Sequence, residues 1–355
     1  MEALSELLSL TGVPTPKVIV VYERKDITSV ITSSLIELSY TDFMEGESDS
    51  VEMTLEDADR RWQNQWYPAH GDMVNVQLGY LNGAMLPCGD FEVDEIELEG
   101  PPDTIRIKAL AAGIKRSVRT RNGRAYENTT LDAIAKDVAQ RNKLTLTGDV
   151  ETVKIDRVTQ VYETDLTFLK RVSEGYGYSF SIRGDKMAFF KRSELKKAES
   201  TLTIRRQQVS SFRFQDKVHG VAAQGTASYF DPKTKEMKTA TVEDPDAAGN
   251  AHSVDALKLN VRAENEQQAR LKADAALDKS NEDQTGGSLT LPGEVRLMSG
   301  VNVTLIGFGK MDGKYTVTQA RHRVSRSSGY GTEVDLKRVR DPKQGAAEKA
   351  EESAQ

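Results

Sequence analysis

Glu163 and Asp165 are the two carboxylates of this chain whose spacing first suggests acid–base work, because glycoside cleavage needs two such groups with different roles. They stand where a helix begins, however, and acidic side chains are expected there because they offset the positive end of the helix dipole. Gly307-Phe308-Gly309-Lys310-Met311-Asp312-Gly313-Lys314-Tyr315 carries the Gly-Lys of a phosphate loop. It lacks a glycine five residues before Gly313 and ends in Tyr315, where a hydroxyl must reach magnesium, so Asp312-Gly313 reads as a turn between two strands. Asp244-Pro245-Asp246 through Asp255 partly fits a calcium loop, but Ala248 offers no oxygen and Asp255 is shorter than the usual bidentate Glu. That stretch reads as a solvated acidic loop. Arg183-Gly184-Asp185 supplies the glycine and Asx residue that a hairpin turn wants.

Cys88 follows Pro87 and has no histidine near it in sequence, which fits a small apolar thiol in a core. Trp62 and Trp66, with Arg60 and Arg61 before them, could form an aromatic platform for a sugar, but a turn that packs both indoles explains them as well. His322 lies between Arg321 and Arg323 on a strand and reads as a solvent-facing or interface residue. No catalytic, cofactor-binding or metal-binding set emerges from these residues.

The elements that must position these groups are short. Thr164 and Asp165 can cap a helix on which Leu166, Leu169 and Val172 form one apolar stripe, with Gly175 as its C-cap. Phe180–Ile182 and Met187–Phe190 follow as a hairpin. Thr129 or Thr130 caps an earlier helix that runs to Asn142, with Leu131, Ile134 and Val138 on one face. Before this unit, strands are expected at 17–22, 35–40, 50–55, 73–80, 91–98 and 104–109. After it they are expected at 211–214, 220–227, 288–291, 302–306, 314–319 and 332–336. Residues 231–253 read as a long loop or an extended hairpin, and 264–278 as an alanine-rich helix.

The composition narrows the function classes. The chain has 355 residues, enough for two or three domains, with 38% hydrophobic and 29% charged residues. A net charge of -6 argues against a general nucleic-acid binder. A single cysteine excludes an intrachain disulfide and zinc-finger spacing. No apolar run is long enough to span a bilayer, and the acidic residues near Met1 are unlike the basic start of a secretory signal.

Several segments in order carry a resemblance. Tyr162-Glu163-Thr164-Asp165-Leu166-Thr167-Phe168-Leu169-Lys170-Arg171, with Gly175 and Tyr178, resembles the central helix of phage baseplate hub proteins of the late control protein D family. It also resembles the N-terminal hub region of VgrG spike proteins. Ser39-Tyr40-Thr41-Asp42, Leu55-Glu56-Asp57, Pro87-Cys88-Gly89-Asp90-Phe91-Glu92-Val93-Asp94 and Ser328-Gly329-Tyr330-Gly331-Thr332 are similar to the same family, across residues 14–340.

The resemblance implies an α+β, mainly β fold with two tube-type β-barrel domains flanking a small α/β domain. The expected division is an N-terminal helix at 1–13, a first barrel at 14–118 and an α/β domain at 119–200. A second barrel would cover 201–340, with an insertion at 231–281, before a flexible tail at 341–355. The function implied is structural: a homotrimeric hub that adapts a six-fold tail tube to a three-fold spike, without enzymatic activity or cofactors. Its partners would be further copies of itself, a trimeric tail spike protein and a hexameric tail tube protein, with the tape measure protein and baseplate wedge as further neighbours. It would sit in the virion tail after assembly in the host cytoplasm. A VgrG-like type VI secretion hub is the alternative, and a cell-wall hydrolase hub the enzymatic rival.

Overall fold

The computed structural model describes residues 14–45, 48–111, 120–183, 186–217, 221–231, 234–244 and 256–340. The expected helix at 1–13, the tail at 341–355, Gly184-Asp185 of the proposed turn, and residues 245–255 of the acidic loop lie outside them. The fold is α+β and mainly β. The first β region holds β1 (Pro16–Tyr22), β2 (Lys25–Asp26), helix α1 (Thr28–Ser34), β3 (Leu35–Phe43), β4 (Ser50–Glu56), β5 (Met73–Tyr80), β6 (Met85–Glu99) and β7 (Thr104–Ala111). Alternation sets its faces: Val51, Met53 and Leu55 of β4 turn inward, as do Val74, Val76 and Leu78 of β5. Helix α1 has no counterpart among the elements read from the sequence, and its β-branched Thr28, Val30, Ile31 and Thr32 favour strand locally. Ile31, 2% exposed, ties it to the core.

The middle unit comprises β8 (Arg121–Thr130), α2 (Leu131–Arg141), β9 (Thr145–Thr147), β10 (Lys154–Thr164), α3 (Asp165–Glu174), β11 (Tyr178–Arg183), β12 (Lys186–Lys191) and α4 (Arg192–Lys197). Both expected N-caps form: the Thr130 hydroxyl accepts from Ala133 N–H at 3.1 Å, and that of Thr164 from Thr167 N–H at 3.2 Å. Phe168, Leu169 and Val172 of α3 pack with Ile134 and Val138 of α2 and with Phe180 and Phe189 of the β11–β12 hairpin. Each such side chain contributes about 1.5–3 kcal/mol on burial. Gly175 is helical at φ -61°, so the left-handed turn falls to Gly177 at φ +76°.

The second β region contains β13 (Ser200–Arg205), β14 (Ser211–Asp216), β18 (Thr285–Pro292), β19 (Asn302–Ile306), β20 (Gly313–Ser325) and β21 (Gly329–Arg338). Between β14 and β18 lies a three-stranded sheet of β15 (Gln224–Asp231), β16 (Glu236–Glu243) and β17 (Ala256–Asn260), covered by α5 (Glu266–Glu282). Thus Asp231 and Glu236–Glu243 are paired strand ends of a hairpin, one of the two expected forms, and β15 begins later than expected. Ala269 and Ala273 of α5 meet Ala227 and Ala240 of the sheet, and a side chain at Gly225 would come within 3.3 Å of the Ala273 carbonyl. Small residues on both surfaces let helix and strand approach closely.

The two β regions share one 13-stranded sheet, ordered β14-β18-β21-β20-β3-β4-β7-β6-β5-β1-β2, with β19 on β20 and β13 on β19. Strand β20 is the joint. Residues 313–316 pair with β19, and Gln319–Ser325 pair with Glu37–Phe43 of β3. A bulge between Val317 and Gln319 leaves Thr318 without an opposite residue on β21. Before it Tyr315 and Val317 point inward; after it Ala320, His322 and Val324 do. The extra residue switches the parity, so one strand keeps its apolar side inward as it passes from one core to the next. Deleting Thr318 should therefore turn residues 319–325 inside out and abolish soluble folded protein. Thr318→Ala, which removes only a 3.2 Å hydrogen bond to Asp335 O, should cost about 1 kcal/mol or less. Urea denaturation of purified protein checks both.

Candidate assembly surfaces

The residues that could have done chemistry are spread through the fold, and most are committed to structural partners. Asp165 is 2% exposed and accepts hydrogen bonds from Gln160 Nε2 at 2.9 Å, Asn142 Nδ2 at 3.2 Å and Asn122 Nδ2 at 3.4 Å; Arg141 lies at 3.3 Å. Glu163 is clamped by Arg171, whose guanidinium also reaches Thr159 O at 3.0 Å. Two carboxylates tied down in this way are not open to a substrate. The expectation for Asp165 as a helix-start acid is too weak: it is the buried centre that joins β8, α2, β10 and α3.

Cys88 is buried, and burial pushes its thiol well above the usual range. Trp62 is buried but Trp66 is half-exposed, edge-on at 5.4 Å, with Arg61 4.5 Å above the Trp66 ring. Only one indole is therefore packed inside. The Asp312 carboxylate accepts from Gly307 N–H at 3.1 Å and Phe308 N–H at 2.6 Å, so these two amides are already used to close the β19–β20 connection. Asp244 accepts from Asn281 Nδ2 at 2.6 Å and pairs with Arg340. Among the described residues no group of three or more His, Cys, Asp or Glu is placed to hold a metal ion, and no helix is long and apolar enough to cross a membrane.

His322 corrects its expectation, since it is fully buried. The residue between two outward arginines of a strand faces the opposite side, and after the Thr318 bulge that side is the core. Its Nε2 lies 2.8 Å from Leu297 O, which can only accept, so Nε2 carries the proton and Nδ1 accepts from the Tyr330 hydroxyl at 2.8 Å. Nearby, Asp42 of β3 accepts from Ser299 N–H at 2.7 Å and Ser299 Oγ at 2.8 Å. Burial holds the His322 pKa below 6.5, opposed by the Leu297 carbonyl and by Asp42 and Glu294.

A second buried ionic cluster binds separate parts of the chain. Arg192 at the start of α4 lies 2.7 Å from Glu45 after β3, 3.6 Å from Glu282 at the end of α5 and 3.9 Å from Glu174 at the end of α3. Lys196 reaches Glu282 at 2.7 Å and Asp278 at 2.8 Å. Burial works against the charge of Lys196, but these two acids outweigh it and raise its pKa.

Among the described residues, two large grooves stand out on the surface. A polar one of about 840 Å³ follows the β20–β3 seam, where Arg323 pairs with Glu37 and Arg106 with Glu52 at 2.6 Å. Its charges are largely met within the chain. The other, of about 730 Å³, runs between α3 and β10 on one side and α5 with 259–264 on the other. Its floor includes Val158, Leu259, Val261 and Ala276. Arg157, Lys170, Arg171, Arg262, Lys272 and Lys279 line it against only Glu174 and Glu264. Lys272 donates to Arg262 O at 2.6 Å and sits 5.0 Å from the Tyr176 ring centre, and burial lowers its pKa. Sequence reading missed this groove, although Lys272, Ala276 and Lys279 recur at helical spacing on one face of α5.

The continuous β scaffold, joined through β20, defines a mainly β protein of the α+β class. More particularly, the chain belongs to the phage tail baseplate hub (GPD) family, whose model matches residues 109–328. A probable baseplate hub protein of Escherichia phage 186 is 26% identical over 365 residues, covering 90% of this chain and 92% of that protein. Among solved structures, a tail protein of Neisseria meningitidis matches with a TM-score of 0.69 at 13% identity, over 91% of this chain and 96% of its own. An E. coli protein described as a component of the type VI secretion system matches at 0.56 and 12% identity, over 87% and 74%. These structures share the fold.

Two consequences can be measured. Unfolded His322 takes up a proton near pH 6.5 while the folded side chain, with its lowered pKa, resists it. Stability should thus be fully present above that pH and fall as pH drops below it, by at most about 1.4 kcal/mol per unit from this residue. His322→Gln should flatten the slope in urea titrations between pH 5 and 7. Arg192→Ala, which leaves Glu45, Glu174 and Glu282 facing one another, should cost about 3–5 kcal/mol in the same assay.

Proposed function

We propose that this hub is a homotrimer adapting a six-fold tail tube to a three-fold spike, with no enzymatic activity of its own. The observation that carries the reading is the shared strand β20, which places two β regions of one chain side by side in one sheet. Three chains would then present six β units upward while keeping three-fold symmetry below, without six identical subunits. In this reading 14–118 and 201–340 act as two tube-like barrel domains around the α/β domain at 119–200, and 231–281 is an insertion into the second. The neighbours would be a hexameric tail tube protein above, a trimeric spike protein below, and the tape measure protein and baseplate wedge beyond. The particle would be assembled in the bacterial cytoplasm and carry the hub in its tail baseplate.

The engaged states of Glu163 and Asp165 support a role without catalysis. The likeness to the type VI component favours a VgrG-like spike hub as second reading. Solution mass with electron microscopy of the purified chain should show a ring of three subunits; a persistent monomer, even with its spike protein present, would overturn the adaptor role. Incubation with purified cell walls should release no soluble fragments, whereas release that disappears in Glu163→Gln would establish a hydrolase instead.

A further inference from the structure

The basic groove between α3 and α5 has an acidic counterpart elsewhere on the same chain. Strand β5 accompanies β6 only as far as Glu92, so from Glu95 to Glu99 β6 is paired with β7 alone and presents an edge. Glu95, Glu97 and Glu99 fall on one face of that edge, spaced about 7 Å apart by the strand repeat. The Glu95 and Glu97 side chains are 65% and 59% exposed; each has one cation at the outer edge of ion-pair range, Lys108 at 3.9 Å and Arg106 at 3.6 Å, the latter shared with Glu52 at 2.6 Å. Leu98, 48% exposed, lies on the opposite face with Ile96, so the edge face itself is purely acidic. Acids along an edge discourage pairing of backbone with backbone, so this segment offers its side chains.

We propose that the groove lined by Lys170, Arg262 and Lys272 receives the Glu95–Glu99 edge of a second copy of this chain. The inference rests on the homotrimer reading above and names the surfaces that would hold it together. Two observations carry it. Of the groove's six cations, Arg157, Arg171 and Lys279 pair with Glu127, Glu163 and Glu174, which leaves Lys170, Arg262 and Lys272 against Glu264. The two surfaces are also different patches of one chain, so each copy gives an edge to one neighbour and a groove to the other. Such a head-to-tail contact repeats around an axis and closes into a ring when the rotation permits. Opposite charge would speed the encounter and fix the register, and like charge would oppose it by several kcal/mol.

Charge reversal tests this directly. Three forms of the full chain are compared with the parent by sedimentation equilibrium: Lys170→Glu with Arg262→Glu, Glu95→Lys with Glu97→Lys, and all four together. Each pair should weaken self-association about tenfold or more, and the four-site form should recover most of that loss because the charges are exchanged and not removed. Circular dichroism confirms that each form is folded, and recovery in the four-site form excludes misfolding as the cause. Rings that persist unchanged in both pairs would overturn this contact while leaving the trimer reading intact. So would a four-site form no better than either pair, or loss of association on removing residues 1–13 while the charge variants stay silent. A parent that remains monomeric at tens of micromolar would overturn both.

Discussion

Strand β20 is the constraint on which the rest of the fold depends. It is hydrogen-bonded to β21 along most of its length and divides its other edge between β19 and β3. A strand with a strict two-residue repeat can serve two cores only if the inward set is the same on both sides, or if one residue is spent on changing it. Thr318 is that residue. Once it is in place, Tyr315 and Val317 enter the second core, Val324 enters the first, and His322 lies between them within a set of polar groups that includes Tyr330, Ser299 and Asp42. These buried polar groups tolerate few alternative arrangements, because each would leave a donor or acceptor without a partner. They therefore fix how the two β regions meet.

The helical unit and the insertion are fastened differently. Their own cores are separate from those of the sheet, and charge provides much of the connection. Arg192 gathers carboxylates from the loop after β3 and from the ends of α3 and α5. Gln268 of α5 reaches Lys154 O and the Tyr176 hydroxyl, both at 3.1 Å, and Lys279 pairs with Glu174. Buried ion pairs contribute less net stability than their Coulomb attraction suggests, since both partners are desolvated, but they define orientation well. A groove bounded by two bodies linked in this manner keeps its shape without a shared apolar core.

Much of the fold was legible in the sequence wherever local pattern and final environment agree. The alternation of Val51, Met53 and Leu55, the caps at Thr130 and Thr164, and the exact span of β19 all follow from short-range rules. Elements whose reason is distant were missed. Strands β8 and β10 carry mostly polar or exposed side chains, and their stability comes from pairing with each other. Helix α1 is held by Ile31 against a core assembled mainly from strands β1 to β7, an environment that its own residues do not announce. His322 was assigned to the surface because the parity change at Thr318 is a property of three strands at once. The assembly surfaces were hidden for a related reason: Lys170, Arg262 and Lys272 are scattered in sequence and become one feature only when α3 and α5 lie side by side.

The seam between the two β regions also has a mechanical meaning. Seven residue pairs join β20 to β3, and they run antiparallel along one line. A pull directed along the strands would load these backbone hydrogen bonds together, in shear, whereas a pull that lifted one end would open them singly, like a zipper. The buried Asp42–Ser299 contact lies near one end of that line and guards it against peeling. A seam of this geometry resists force along its strands better than force that lifts one end.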